Sequence, residues 1–230
     1  MMNFLGVIPA RGDSKGIPRK NLVLLKGKPL LSYTCEAAKS AKLLNRVLLS
    51  TDDEEIAAAG KTFGVDVPFL RPKNLAQDDT PILDVLRDLL QKLDGPKPDG
   101  IVLLQPTSPL RTAEHIDAAI DLFQTSGADT VVSVMTVPHH FSPACLMVLD
   151  GERVKPLTDG PMILRRQDKQ KVYARNGPAI FITKTALIEK GVFYGEDIRP
   201  FVMDHQSSVD IDDMTDLKFA EFLMHGSGAI

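Results

Sequence analysis

Phe4-Leu5-Gly6-Val7-Ile8-Pro9-Ala10-Arg11-Gly12-Asp13-Ser14-Lys15-Gly16-Ile17-Pro18-Arg19-Lys20-Asn21 is the stretch from which the rest of the chain is read. An apolar run one strand long, Phe4–Ile8, breaks into a loop bracketed by Pro9 and Pro18. Leu30, Tyr33, Ala37, Ala41 and Leu44 then recur at helical spacing. A buried strand feeding a loop and then a helix opens an α/β domain, whose ligands gather at the carboxyl ends of parallel strands. The loop carries Arg11, Lys15, Arg19 and Lys20 within ten residues, and Gly12 and Gly16 let backbone amides approach an anion. Clustered cations and fixed donors of this kind suit three adjacent phosphates. The Walker A pattern G-x-x-x-x-G-K-[ST] is absent.

Outward from the loop, short apolar runs alternate with helix-period segments. Strands are expected at Arg46–Ser50, Val65–Phe69, Ile101–Leu104, Thr130–Met135 and Ala179–Thr183. Helices are expected at Leu30–Leu44, Glu54–Phe63, Thr80–Leu93, Thr112–Phe123 and Met214–Met224, with Thr51-Asp52-Asp53 supplying N-cap chemistry for the second. This pattern predicts a mostly parallel sheet covered by helices, a Rossmann-like α/β fold in a single domain over residues 1–230. Residues 136–171, with two adjacent histidines, four prolines and weak periodicity, read as an excursion from the sheet, a flap or dimerisation element. The tail around Gly226-Ser227-Gly228 reads as disordered.

The bulk numbers narrow the function. With 230 residues, 43% hydrophobic and 25% charged, the chain can bury one large core, and its net charge of -3 gives no basic field for nucleic acid. Cys35 and Cys145 lack C-x-x-C spacing, which points away from a disulfide scaffold and towards a reducing cytoplasm. The apolar N-terminus lacks a basic region and cleavage site, and no run approaches the roughly 18 apolar residues of a membrane span.

Two further constellations carry chemistry. Gln105-Pro106-Thr107-Ser108-Pro109-Leu110-Arg111 follows a buried strand, so Gln105, Thr107, Ser108 and Arg111 offer donors at the sheet edge. Arg111 is able to pair bidentately with an acid. Asp210 and Asp212 flank Ile211, and on a regular strand both carboxylates face the same way. Two hard oxygen ligands on one face suit Mg2+, which binds one or two carboxylates plus substrate phosphates. Asp213 and Asp216 lie at a helix start, where acids complement the dipole. Asp52 is open to either helix capping or ligand contact. His139-His140 has no acid partner in a recognisable spacing, and its default reading is structural.

In order and spacing, Ile8–Asn21, Ser50–Ile56, Arg71–Thr80, Leu104–Arg111 and Val209–Asp212 resemble the blocks of the CMP-nonulosonate synthetases, the N-acylneuraminate cytidylyltransferase family. The resemblance runs through nearly the whole chain. It implies that Ala10, Arg11, Gly12, Ser14, Lys15, Lys20, Asn21, Arg71 and Thr80 serve the nucleotide, CTP. It places Gln105, Arg166 and Tyr173 at an acidic sugar acceptor and Asp210 and Asp212 at Mg2+. Arg11, Lys20, Asp210 and Asp212 are then the catalytic set. It implies a homodimer in which the excursion lends a basic residue, with Arg166-Gln167 the best match, to the neighbouring site. The expected reaction moves CMP to the anomeric hydroxyl of a nine-carbon acidic sugar and releases pyrophosphate. Rival readings are another acid acceptor (legionaminate, pseudaminate, deoxyoctulosonate or a phosphonate) and a non-catalytic nucleotide-binding protein. The octulosonate branch fits less well, because its loop typically lacks R-G-x-S-K. One departure concerns the acceptor: Ala174 stands where an arginine is frequent, and Pro178 is an addition. Phe193-Tyr194 either packs beside that segment or belongs to the core.

Overall fold

In the computed structural model, residues 2–159, 163, 165–177 and 179–226 are described. In chain order the elements are β1 (Phe4–Pro9), β2 (Leu24–Leu25), β3 (Lys28–Pro29), α1 (Leu30–Ser40), β4 (Arg46–Ser50), α2 (Glu54–Thr62), α3 (Ile82–Lys92), β5 (Gly100–Leu103) and α4 (Ala113–Ser126). After them come β6 (Thr130–Thr136), β7 (Met147–Asp150), β8 (Arg153–Pro156), β9 (Tyr173–Arg175), β10 (Phe181–Lys184), α5 (Thr185–Glu189), β11 (Ile198–Met203) and α6 (Met214–Gly226).

The central sheet has the order β11-β6-β10-β5-β1-β4, with β9 beside β6. β1 is parallel to both β4 and β5, and β11 is parallel to β6. β10 runs antiparallel to β5 and β6, and β9 antiparallel to β6. The sheet is therefore mostly parallel. Alternation along β1 sends Phe4 and Ile8 to one face, against Leu31, Cys35, Ile116 and Ile120. Leu5 and Val7 go to the other, against Leu86, Leu89 and Ile188. Because β4 and β5 flank β1 on opposite sides, the chain leaves β1 in both directions, and a crevice opens at the carboxyl ends of β1 and β5.

Several expected boundaries move for identifiable reasons. α1 stops at Ser40, not Leu44, because Asp117 on α4 accepts the backbone N–H groups of Lys42 at 3.0 Å and Leu43 at 2.9 Å. Val65–Phe69 makes one parallel bridge, Leu48 to Asp66, with Pro68 close behind it, so no strand grows. The segment at Asp210–Asp212 is a loop, not a strand end. β11 was not expected, since Pro200 sits inside it. It is an edge strand, where a missing N–H is tolerated.

Between β6 and β9 the described residues form short 3-10 turns (His139–Phe141, Pro143–Cys145, Arg166–Asp168) and the β7–β8 hairpin. Cross-strand pairing puts Met147, Leu149, Val154 and Pro156 on one face of that hairpin, and Leu149 is 81% exposed. Of the tail expected to be disordered, Gly226 ends α6, and the residues after it, like Pro178, fall outside the described residues.

Candidate active site

A cleft of about 240 Å³ occupies the crevice, lined by Pro9, Arg11, Ser14, Lys20, Asn21, Arg71, Asp78, Thr80, Gln105 and Thr107 among others. The loop after β1 is held from several sides. Asn21 Nδ2 donates to the Arg11 carbonyl at 2.9 Å. Arg19 adopts a left-handed backbone (φ 55). Its guanidinium is clamped by Asp53 at 2.5 and 3.2 Å and by Glu55 at 2.5 Å, and the Asp53 bond raises its pKa. Of the four loop cations, Arg19 therefore serves the fold. Lys20, with its side chain only 12% exposed, lines the cleft and reaches the neighbouring aspartate segment, donating to the Ile211 carbonyl at 2.8 Å and to Asp212 Oδ1 at 3.2 Å.

Two amides of the loop are engaged internally. The N–H of Ala10 donates to Ser50 O at 2.9 Å, and that of Gly12 to Asp52 Oδ1 at 3.0 Å. Asp52 thus braces the loop, and the N-cap of α2 is Asp53, which accepts from the Ile56 amide at 2.9 Å. Gly16 is needed for another reason. A Cβ there would lie 2.1 Å from the Asp212 carbonyl oxygen, so the loop touches the aspartate segment at this point.

Arg71 is buried under the cleft, where Nε donates to Ser50 Oγ at 3.1 Å and Nη2 to Ser50 O at 2.5 Å. Burial lowers its pKa to about 10, which leaves it charged at neutral pH. Beyond it the chain folds on itself: Thr80 Oγ1 accepts from the Gln77 amide at 3.1 Å, and Gln77 Nε2 donates to Lys73 O at 2.7 Å. Asp78 projects from this segment to Arg11 at 2.5 Å and Lys15 at 2.9 Å. The sequence marks Asp78-Asp79-Thr80 as one group within the matching block, and only Thr80 of the three is expected at the nucleotide; the contact of Asp78 with the loop is visible only in the fold.

On the opposite wall, Gln105 lines the cleft. Arg111, expected to be free for an acid, instead turns into the core. Nη1 donates to the carbonyls of Gln105 at 3.1 Å and Ala179 at 2.8 Å, and Nη2 donates to Thr34 Oγ1 at 2.6 Å. Complete burial pulls its pKa down to about 9. Its work is to tie the Gln105 loop to the start of the β10 segment.

Asp210 and Asp212 are set by Ile211 between them, whose buried side chain sits in a third apolar cluster. The Ile211 N–H donates to Thr107 O at 2.8 Å, and its carbonyl receives Lys20. Asp210 is largely buried, and its Oδ1 has no hydrogen-bond partner. Burial raises its pKa against the pull of the Thr107 hydroxyl, with Asp212 adding to the rise and Lys20 opposing it. Gly177, at φ 112, passes so close that a Cβ would come within 3.2 Å of Asp210 Oδ2. Asp212 is 82% exposed. Asp213 and Asp216 cap α6, accepting the amides of Asp212, Asp213, Thr215 and Asp216 at 2.7–3.1 Å. A buried orphan oxygen beside an open carboxylate fits a hard cation. Among the described residues no group of three or more His, Cys, Asp or Glu is placed to hold a metal, so a cation at this pair would need its other oxygens from substrate and water.

Other anticipated residues lie elsewhere. Tyr173, on β9, is half-exposed with Lys171 over its ring at 5.4 Å, and it is outside the cleft. Arg166 opens a 3-10 turn, and its side chain is outside the described atoms. Phe193 stacks on Phe181 at 4.1 Å with Tyr194 edge-on, so this pair belongs to the core. The His139 and His140 rings meet edge to face. Sequence reading also missed Asn176, which is buried. It receives Ser133 Oγ at 2.6 Å and donates to Ser208 Oγ at 2.9 Å, fixing the backbone ahead of Gly177.

Asp210 and Asp212 lie beside the cleft and not in its lining; Asp210 instead lines a neighbouring cavity with Met135, His205 and Asp216. The cations that do line the cleft suit loss of pyrophosphate from a nucleoside triphosphate, the chemistry of a nucleotidyltransferase. The sequence pattern of the family described as cytidylyltransferase matches residues 5–226. Similar curated proteins include the CMP-N,N'-diacetyllegionaminic acid synthase of Legionella pneumophila, 36% identical over 97% of both chains. The N-acylneuraminate cytidylyltransferase of Escherichia coli is 32% identical over 94% of this chain and 51% of its own length. A pseudaminic acid cytidylyltransferase of Campylobacter jejuni is 31% identical over 96% of each. Among solved structures, a CMP:2-keto-3-deoxy-manno-octonic acid synthetase superposes with a TM-score of 0.74 at 16% identity, covering 98% of this chain and 99% of its own. The chain belongs to the CMP-nonulosonate synthetase (N-acylneuraminate cytidylyltransferase) family of cytidylyltransferases.

Proposed function

We propose that the protein transfers CMP from CTP to the anomeric hydroxyl of an acidic nine-carbon sugar. The observation that carries this reading is the bond of Lys20, which lines the cleft, to Asp212 at 3.2 Å, which sets the loop cations directly beside the aspartate segment. The sugar hydroxyl oxygen attacks the α-phosphorus in line, the bond to the bridging oxygen breaks, and pyrophosphate departs with the electron pair while the hydroxyl proton passes to solvent. Arg11, Lys15 and Lys20 bind the β- and γ-phosphates and offset the charge that grows on the leaving group. Arg71 and Thr80 border the nucleotide, and Gln105 orients the acceptor. Asp210 and Asp212 would hold Mg2+, which when bound draws charge from the α-phosphate and lowers the pKa of the attacking hydroxyl.

The relatives' named substrates support an acidic sugar as acceptor. The similarity to the Legionella enzyme favours a second reading of its identity, legionaminate in place of N-acylneuraminate. The exposed apolar face of the β7–β8 hairpin supports residues 136–171 as a homodimer contact that brings Arg166 to a neighbouring site. Among the described residues no helix is long and apolar enough to cross a membrane, and the CTP requirement fits work in the cytoplasm. The test is pyrophosphate release from CTP and Mg2+ with N-acylneuraminate, legionaminate, pseudaminate and deoxyoctulosonate in turn. Release with one nonulosonate, and its loss in Asp212→Ala with CTP binding retained, is expected. CTP binding without release from any acceptor would establish a binding module instead.

A further inference from the structure

The loop's four cations are all neutralised from within the protein. Arg19 is spent on Asp53 and Glu55, and Lys20 on Ile211 and Asp212. Arg11 and Lys15, the remaining two, share one carboxylate: Asp78 Oδ1 is 2.5 Å from Arg11 Nη1, and Oδ2 is 2.9 Å from Lys15 Nζ. One oxygen to each cation is the arrangement a phosphate would also adopt with these donors. The bridge contributes little to the fold, because Asp78 is 42% and Lys15 79% exposed, and exposed pairs stabilise weakly. The two cations hold the Asp78 carboxyl below its usual range, Lys15 contributing most.

The segment that carries Asp78 is bonded largely to itself. Gln77 bonds back to Lys73, Thr80 to Asn74, and the two to each other, so residues 73–80 hold their own shape. Their anchor is Arg71, buried and tied to Ser50 through both side chain and carbonyl.

We propose that Asp78 is an internal counter-ion occupying the phosphate position between Arg11 and Lys15, and that nucleotide binding exchanges it for a phosphate and frees residues 73–80 from the loop. This rests on the loop's assignment to the triphosphate. The exchange keeps the cation pair together in the free protein, and the return of Asp78 competes with pyrophosphate for the same two donors, which speeds its departure.

Calorimetric binding of inorganic triphosphate, in EDTA without divalent ions, compares wild type with Asp78→Asn and the neighbouring Asp79→Asn. Asp78→Asn is expected to bind about three- to tenfold tighter, the scale of one or two exposed ion pairs. Asp79→Asn, an equal change of charge one residue away, should stay within about twofold of wild type. Hydrogen exchange in residues 73–80 should rise when triphosphate is added to wild type, and be high already in free Asp78→Asn. Equal or weaker binding by Asp78→Asn, or an equal gain in Asp79→Asn, overturns the exchange while leaving the triphosphate loop intact. Absence of binding by wild type and Asp78→Asn alike sinks the loop assignment and the exchange with it.

Discussion

Gly16→Ala adds one methyl group where the loop after β1 meets the aspartate segment. The new Cβ would stand 2.1 Å from the Asp212 carbonyl oxygen, and real Cβ contacts essentially never fall below 3.0 Å. Relief therefore needs a displacement of about 0.9 Å (3.0 less 2.1), and the obstacle is backbone, not the free end of a side chain. Lys20 is bonded to Ile211 next door, so the shift separates the phosphate-binding side from the carboxylate side instead of moving both together. A misplacement of about 1 Å in a reacting constellation costs on the order of 100-fold in rate, equivalent to roughly 2.7 kcal/mol. The assay is pyrophosphate release at saturating CTP and acceptor, with a melting curve as control. Gly12→Ala is the comparison, because its Cβ would meet the Asp53 side chain at 3.0–3.1 Å and needs only a few tenths of an ångström. We expect kcat to fall about 100-fold in Gly16→Ala and by less than about threefold in Gly12→Ala. Wild-type turnover in a folded Gly16→Ala protein, or equal damage in Gly12→Ala, would refute the account of how the two sides are registered.

Asp210→Asn should abolish turnover yet raise the melting temperature measured in EDTA at neutral pH. The raised pKa of Asp210 means its contribution to stability is present at low pH and lost as pH rises through the folded value, so the asparagine removes a liability that exists only above it. A gain of about 2–4 °C is expected, the shift that 1 kcal/mol gives a chain of this size, and it should vanish in melts at acid pH. Lys20→Ala removes a cation and the bond to Ile211 together, so both KM for CTP and kcat should worsen, by at least about tenfold in kcat/KM; steady-state kinetics check this. Arg111→Met leaves the Gln105 and Ala179 carbonyls without their donor in the core, and chemical denaturation should report a loss of about 3 kcal/mol or more. An effect confined to the KM of the acceptor, with stability unchanged, would return Arg111 to the binding site.

The strands that build the crevice were legible because β1, β4 and β5 are largely buried and read as apolar runs bounded by loops. What escaped was decided at long range or at an edge. The end of α1 is set by Asp117, 75 positions away from Lys42. β11 tolerates Pro200 only because nothing pairs with its outer side, and no local pattern carries that information. The same holds in the site. Arg111 has the chemistry of an anion ligand, and only the fold reveals that two carbonyls and a hydroxyl already claim it. Asp210 and Asp212 were singled out on the alternation of a strand that is absent. What sets them is Ile211, held by Thr107 on one side and Lys20 on the other. Arg19 and Lys20 are adjacent and equally charged, and the left-handed turn at Arg19 sends one to α2 and the other to the aspartate segment.

The bond from Lys20 to Ile211 spans 191 positions, so the phosphate loop leaves the ribosome that many residues ahead of the segment it bonds to. At about 5–20 residues per second, a ribosome leaves Lys20 waiting on the order of 10–40 s for its acceptor. Through that interval the nascent chain displays a cation-rich loop with no aspartate pair beside it. A product truncated before Val209 would keep this half-built state permanently, able to attract polyanions yet unable to add the aspartate segment.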